Sequence, residues 1–128
     1  MNSEQLNKFG AVILDASIEV HKQLGPGLLE SVYELSLFKE LSSRNLNVQR
    51  QVPIPVLYKG EELNAEFKIG ILVENGIVIE LKAVEVILPV HKAQLLTYLR
   101  LSEKKLGYLI NFNVPKLVDG FNRIVNNF

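Results

Sequence analysis

A carboxylate and an ammonium group lie two positions apart, at Glu80 and Lys82, within the short apolar run IVIELKAV. In a β-strand, side chains two positions apart point to the same face, so these groups would lie roughly 6 to 7 Å apart. A carboxylate at that spacing can hold a divalent cation, while the ammonium steadies a nucleophilic water beside it. The pair is therefore compatible with a metal-assisted hydrolytic site, but by itself it is more typical of an ordinary solvated strand face.

The residue opposite Glu80 depends on the turn that precedes it. Residues 66–84 contain two apolar runs joined at Asn75-Gly76, which is typical of a β-hairpin. A loop formed by these two residues alone would place Ile71 opposite Glu80.

A three-residue loop from Glu74 to Gly76, with Gly76 as a left-handed bulge residue, would instead place Gly70 opposite Glu80. This register is favoured because it gathers the apolar side chains of the hairpin on one face. They are Ile69, Ile71, Val73, Ile77, Ile79 and Leu81. The face that carries Glu80 then has no side chain at position 70.

A second carboxylate of interest is Glu30, in a helix predicted from Pro26 to about Ser43. On a helical wheel, Glu30 lies along a mostly apolar stripe that includes Tyr33 and Leu37. It must be solvated, hydrogen-bonded or charge-paired, because burying a lone carboxylate is costly. Glu30 is therefore either part of a site or a surface carboxylate stabilised by the helix dipole.

Hydrophobic periodicity predicts the elements that position these groups. They are helices over about residues 3–24, 26–43 and 89–102, strands over 48–58 and 107–112, the hairpin within 66–84, and a terminal helical turn near 118–126. This order, ααβββαβ, predicts an α/β layered domain with a central mixed four-stranded sheet flanked by helices. Pro53 and Pro55 predict that the strand over 48–58 is an edge strand or is bulged.

Composition excludes several classes of function. The 128 residues are expected to form one domain over 1–128, and equal numbers of basic and acidic residues, 14 each, give no overall basic field for nucleic acid. The absence of cysteine excludes disulfides and thiolate chemistry. Without a signal-peptide pattern or a membrane-length apolar run, we expect a cytoplasmic protein with no membrane partner. The apolar content of 48% is compatible with a homodimer.

The segment GLLESVY at residues 27–33 has the spacing GxxExxY, and four further segments follow it in a characteristic order. They are VPIPVLYKG at 52–60, IVIELKAVE at 77–85, HKAQLLTYLR at 91–100 and LGYLINFNVPKLVDGFNRI at 106–124. Together they resemble the GxxExxY family of small bacterial proteins in the PD-(D/E)xK nuclease superfamily. The resemblance covers nearly the whole chain and implies a restriction-endonuclease-like fold with Mg²⁺-dependent cleavage of phosphodiester bonds.

By motif position, the resemblance implies that Glu30 and Glu80 are metal ligands and that Lys82 is catalytic together with them. It also implies that Gln94 and Tyr98, from the helix that follows, lie at the rim of the site. Both of these residues are equally compatible with simple packing and hydrogen bonding at the edge of the sheet.

The sequence departs from the family pattern at one ligand position. Family members carry an aspartate where this chain has Gly70. Because Mg²⁺ usually takes one or two carboxylates in near-octahedral geometry, losing one should weaken metal binding and misplace the attacking water. Glu66 and Glu74 lie roughly 13 Å from Gly70 along the strand, too far to replace the missing group.

Two hypotheses for function follow. The first is a nuclease-fold protein, related to Mg²⁺-dependent phosphodiesterases and impaired by Gly70, either as a degenerate enzyme or through an inactivating substitution. The second is a non-catalytic module that binds nucleic acid or protein. Lys82→Ala would abolish residual cleavage in the first case, whereas the second has no cleavage to abolish.

Overall fold

The helices and strands of the computed structural model follow the predicted segments closely. It describes the backbone of residues 1–128 and the side chains of residues 1–63 and 67–128. The elements are α1 (Ser3–Leu24), α2 (Glu30–Ser43), β1 (Val48–Tyr58), β2 (Glu61–Val73), β3 (Ile77–Lys82), α3 (Pro89–Leu101), β4 (Leu106–Asn111), a 3₁₀ turn (Leu117–Gly120) and β5 (Phe121–Val125). None of the described helices is long and apolar enough to cross a bilayer.

The strands form one mixed sheet in the order β1-β2-β3-β4-β5. Strands β3 and β4 are parallel, joined by the crossover helix α3, whereas the other neighbouring strands are antiparallel. Helices cover the sheet on both faces, so the predicted α/β layered architecture is confirmed. Strand β1 lies at the edge and its register shifts between Ile54 and Val56, as its two prolines predict.

The sheet has five strands and not the predicted four, and the predicted terminal helical turn is confined to Leu117–Gly120, because Phe121–Val125 is the fifth strand. Every residue of β4 is buried. Buried backbone N–H and C=O groups need partners, and β3 satisfies only one edge of β4. Strand β5 pairs along the other edge, from Leu106↔Val125 to Ile110↔Phe121.

Two separate cores lie on the two faces of the sheet. One core contains α1, α2 and the alternate residues Ile77, Ile79 and Leu81 of β3. The other core contains α3 and Val78. Since side chains alternate along a strand, the charged residues of β3 lie on the α3 side.

Helix α2 begins at Glu30 and not at Pro26, which corrects the predicted start. Gly25 and Gly27 have positive φ values of 69° and 96°, which glycine adopts without steric cost. The hydroxyl of Tyr33 donates to the carbonyl of Gly25 at 2.5 Å and accepts the N–H of Leu28 at 3.1 Å. This bracing by a fully buried tyrosine places Glu30 in the first helical turn.

The hairpin adopts the favoured register. Val73 pairs with Ile77 and Ile71 with Ile79, so Gly70 faces Glu80 on the adjacent strand. The turn itself differs from the prediction, because Glu74 and Asn75 have positive φ, 51° each, while Gly76 does not. Positive φ at both central residues is typical of a type I′ turn. The left-handed residues of this turn are therefore Glu74 and Asn75, and not Gly76.

Ile69 does not lie on the predicted apolar face of the hairpin. Ile69 packs in the core on the α3 side, whereas Ile71 packs in the α1–α2 core. Between them the β1–β2 pairing is interrupted, since Arg50 pairs with Ile71 and Val52 with Ile69 while Gln51 has a φ of 52°. This local distortion beside Gly70 breaks the side-chain alternation that the prediction assumed.

Candidate functional site

Glu80 lies near the middle of the sheet, on the side that α3 covers. Its Oε1 accepts the backbone N–H of Gly70 at 3.0 Å. Burial raises the pKa of Glu80 to about 7, the Gly70 hydrogen bond and the charge of Lys82 oppose that rise, and the charges of Glu34 and Glu30 add to it. Glu30 and Glu34 are therefore close enough to Glu80 to influence it electrostatically, and Glu34 was not predicted as a site residue.

That additional carboxylate belongs to Glu34. A Cβ built on Gly70 would lie 2.9 Å from Glu34 Oε1 and 3.8 Å from Glu80 Oε1. The carboxylate of a helix residue thus reaches the space that a side chain at position 70 would use. The sequence contains one signal for it, because Glu34 follows Glu30 by four residues and side chains at this spacing share a helix face.

Two residues of β1 hold Glu34 in place. The Arg50 guanidinium donates to Glu34 Oε2 from Nε at 3.3 Å and from Nη2 at 3.2 Å. The Gln51 amide donates to both oxygens, at 3.0 Å to Oε1 and 3.1 Å to Oε2. The distorted backbone of Gln51, opposite Gly70, therefore belongs to the same local arrangement as the Glu34 carboxylate.

Glu30 lies at the mouth of this arrangement. It is exposed, in the first turn of α2, and together with Glu34 it lines an open cavity of about 410 Å³. The other lining residues are Leu29, Ser31 and Gln51. A ligand in this cavity would contact both helix carboxylates from the solvent side.

Lys82 is the last residue of β3 and is partly exposed. No carboxylate among the described side chains lies within 4.0 Å of its ammonium group. Its charge nevertheless lowers the pKa of Glu80. Lys82 is thus near Glu80 without being neutralised by a described partner, which leaves it available to an anionic group.

Tyr98 closes the site from α3. Its side chain is 9% exposed, and burial, reinforced by the charge of Glu80, raises the pKa of its hydroxyl. The ring also contacts Phe67 edge-on, at 6.1 Å between centroids. Gln94, one helical turn earlier, is exposed on the same face of α3. Both residues thus lie on the side of the helix that borders Glu80.

Glu74, one of the two glutamates considered above as a replacement for a ligand at position 70, is not part of this arrangement. Glu74 hydrogen-bonds the N–H of Asn47, at the far end of the strand. The side chain of Glu66 lies outside the described residues.

The donor atoms around Gly70 fit a hard divalent cation. Mg²⁺ usually takes one or two protein carboxylates and completes its shell with water and phosphate oxygens. Glu34 and Glu80 supply two carboxylates, of which Glu34 lines the open cavity. Within residues 1–63 and 67–128, no group of three or more His, Cys, Asp or Glu side chains could hold a metal ion. Two carboxylates would leave most of the coordination shell of a divalent cation to water and other oxygen ligands.

Comparison with known protein families gives one match. The sequence profile of the PD-(D/E)XK nuclease superfamily matches residues 7–124. The mixed sheet flanked by helices is consistent with the restriction-endonuclease-like fold expected from the motifs. Comparison with curated proteins and with solved structures gives no match.

Proposed function

Because this chain belongs to the PD-(D/E)XK nuclease superfamily, we propose that it is a Mg²⁺-dependent phosphodiesterase acting on nucleic acid, with activity reduced by glycine at position 70. The observation that supports this function best is the environment of Glu80. A largely buried carboxylate with a pKa of about 7 lies beside a lysine that has no described carboxylate partner. Such groups are unfavourable for folding and are typical of functional sites.

Each residue has a distinct role in this proposal. Glu80 and Glu30 bind the cation, which supplies Lewis-acid polarisation of a phosphate oxygen and a more acidic water. The Lys82 ammonium holds the attacking water and stabilises the negative charge that grows on the phosphate. The buried Tyr98 excludes bulk water from the α3 side, and Gln94 contacts the substrate at the rim.

The motif at residues 27–33 supports membership of the GxxExxY family, and with it a bacterial source, while the lack of cysteine in the sequence is compatible with a cytoplasmic location. A homodimer remains part of the proposal, since apolar side chains such as Leu57 and Tyr58 are 63% and 59% exposed at the tip of the β1–β2 hairpin.

A second candidate function is a non-catalytic module that binds nucleic acid or protein. The ion pair between Arg50 and Glu34, 3.2 Å long, favours it, because a site neutralised by its own guanidinium has less need of a metal. Exposed apolar residues at the hairpin tip offer a surface for a protein partner.

Cleavage assays separate the two functions. Labelled single- and double-stranded DNA and RNA would be incubated with Mg²⁺ or Mn²⁺ and with the unmodified protein, Gly70→Asp, or Gly70→Asp combined with Lys82→Ala. The nuclease proposal expects weak cleavage by the unmodified protein, stronger cleavage by Gly70→Asp, and loss when Lys82→Ala is added. Absence of cleavage by every variant would refute it and favour the binding module.

A further inference from the structure

We propose that Glu34 supplies, from helix α2, the carboxylate that position 70 lacks, so that Glu34 and Glu80 together bind the divalent cation. This inference rests on the proposed function, since it concerns the metal site of the same reaction, and it expects Glu34, which Arg50 partly neutralises, to be a weaker ligand than an aspartate at position 70. It goes beyond the motif, which contains no functional residue at position 34.

The first argument is where the Glu34 carboxylate lies. Its Oε1 is 2.9 Å from the point that a Cβ on Gly70 would occupy, within reach of an aspartate side chain at that position. Glu80 Oε1 lies 3.8 Å from the same point on the adjacent strand. The two carboxylates therefore converge on the space beside Gly70, although they come from a helix and a strand.

The second argument is steric exclusion. A Cβ and a carboxylate oxygen 2.9 Å apart are closer than real side chains allow, so Glu34 can hold this position only while residue 70 has no Cβ. The carbonyl oxygen of Ile79 lies 3.2 Å from the same point, so a Cβ at position 70 would also be crowded by the backbone of β3. Glycine at position 70 therefore removes one ligand and at the same time makes room for the Glu34 carboxylate.

The third argument concerns the hydrogen bonds of Glu34. Both Arg50 bonds go to Oε2, whereas Oε1, the oxygen beside Gly70, accepts only the Gln51 amide among the described donors. A carboxylate oxygen has two lone pairs, so Oε1 keeps one for a cation. The side chain of Glu34 is only 14% exposed and is oriented by both partners, which reduces the entropy lost on binding.

Arg50 competes with the cation for this carboxylate. Its side chain is 33% exposed and its nitrogen lies 3.2 Å from Glu34 Oε2, so the pair is a partly solvated ion pair of modest strength. A divalent cation beside Oε1 would repel the guanidinium. Removing the guanidinium should therefore strengthen cation binding.

Calorimetric titration with Mn²⁺, in the absence of nucleic acid, tests the inference. Glu34→Gln keeps the size of the side chain and should weaken Mn²⁺ binding more than about tenfold, since even an outer-shell partner is worth that much. Adding Gly70→Asp to Glu34→Gln should restore binding, because the flexible end of the glutamine can move aside and the aspartate then brings a carboxylate to this space. Glu40→Gln is the matched control, as Glu40 lies on the same helix and pairs with Arg44 instead.

A second variant keeps the test decisive if Glu34→Gln is poorly folded. Arg50→Gln should tighten Mn²⁺ binding, and its thermal unfolding should still be cooperative. The inference is overturned if the unmodified protein does not bind Mn²⁺, if Glu34→Gln binds it as tightly as Glu40→Gln does, or if Arg50→Gln fails to strengthen binding.

The binding experiment is independent of the nuclease assay. Glu34-dependent Mn²⁺ binding without any cleavage would uphold this inference and refute the phosphodiesterase. Cleavage and Mn²⁺ binding that are both unchanged in Glu34→Gln would uphold the phosphodiesterase and refute the role of Glu34.

Discussion

The backbone N–H of Gly70 donates to Glu80 Oε1 across the β2–β3 pair at 3.0 Å, so the residue that lacks a carboxylate orients the neighbouring one. A side chain at position 70 leaves this hydrogen bond possible, because the donor is backbone. The geometry of Glu80 is therefore set by the strand pairing and not by the identity of residue 70.

Glu80→Gln should stabilise the protein at neutral and alkaline pH. The folded pKa of Glu80, about 7, lies above its ordinary value of 4.5. The stabilisation that this raised pKa provides is complete below about pH 4.5 and is lost as pH rises through 7, because the unfolded chain releases the proton first. At pH 8 the variant should gain on the order of 1 to 3 kcal/mol in urea unfolding, and at pH 4 the two proteins should agree. Parallel pH profiles for the two proteins would contradict this.

Lys82→Ala should raise the pKa of Glu80 further, because the ammonium of Lys82 favours the ionised carboxylate. The measurement is an NMR titration of the Glu80 carboxyl carbon in both proteins, without metal. Lys92→Ala, which removes an exposed charge on α3, serves as the comparison. A Glu80 titration that responds equally to both substitutions would show that Lys82 has no specific influence.

Tyr33→Phe should destabilise the protein by about 1 to 2 kcal/mol, because the backbone groups of Gly25 and Leu28 lose their shared partner. The stacking of the ring on Phe112, at 4.6 Å, should survive. Urea unfolding measures the change, with Tyr58→Phe at an exposed position as the control. Mn²⁺ affinity should also fall, since the bracing of this loop positions Glu30. An unfolding free energy equal to that of the control would show that the hydroxyl contributes nothing.

Two glycine substitutions should differ sharply in stability. Gly70→Ala meets the end of the flexible Glu34 side chain, which can move, and the carbonyl oxygen of Ile79 at 3.2 Å, which needs only a small shift. We therefore expect a loss of about 1 kcal/mol together with weaker Mn²⁺ binding. Gly120→Ala meets the backbone carbonyl of Asn111, which cannot move without disturbing β4, so the loss should exceed about 2 kcal/mol. Thermal unfolding of both variants measures the difference, and equal losses would refute this account.

Much of the fold follows from local patterns. The helix Ser3–Leu24 and the register of the hairpin are predictable, because each has a strong period and a single arrangement that buries its apolar residues. Strand β5 is not predictable in this way, since its five residues are only partly buried and it forms because β4 needs a second partner. The face on which Ile69 lies is not predictable for a similar reason, because the backbone distortion at Gln51 arises only when β1 and β2 pair.

The residues of the candidate site could likewise be predicted only in part. Glu80, Lys82 and Tyr98 are identifiable from strand and helix periodicity together with the motif. Glu34 is not, because its significance depends on a space beside Gly70 that exists only once α2 packs against the sheet. A helix residue and a strand residue 36 positions apart cannot be matched by any local pattern.

Because side chains at positions 34 and 70 would occupy the same space, each position limits the substitutions that the other can accept during evolution. A chain with aspartate at position 70 can reach the present pair through one of two intermediates. Either glutamate is introduced at position 34 beside the aspartate, and its side chain must then move aside, or glycine comes first at position 70 and no carboxylate lies at this point. Among relatives of this protein, an acidic side chain at position 70 should accompany a small or uncharged residue at position 34. The two positions are expected to covary as a pair of alternatives.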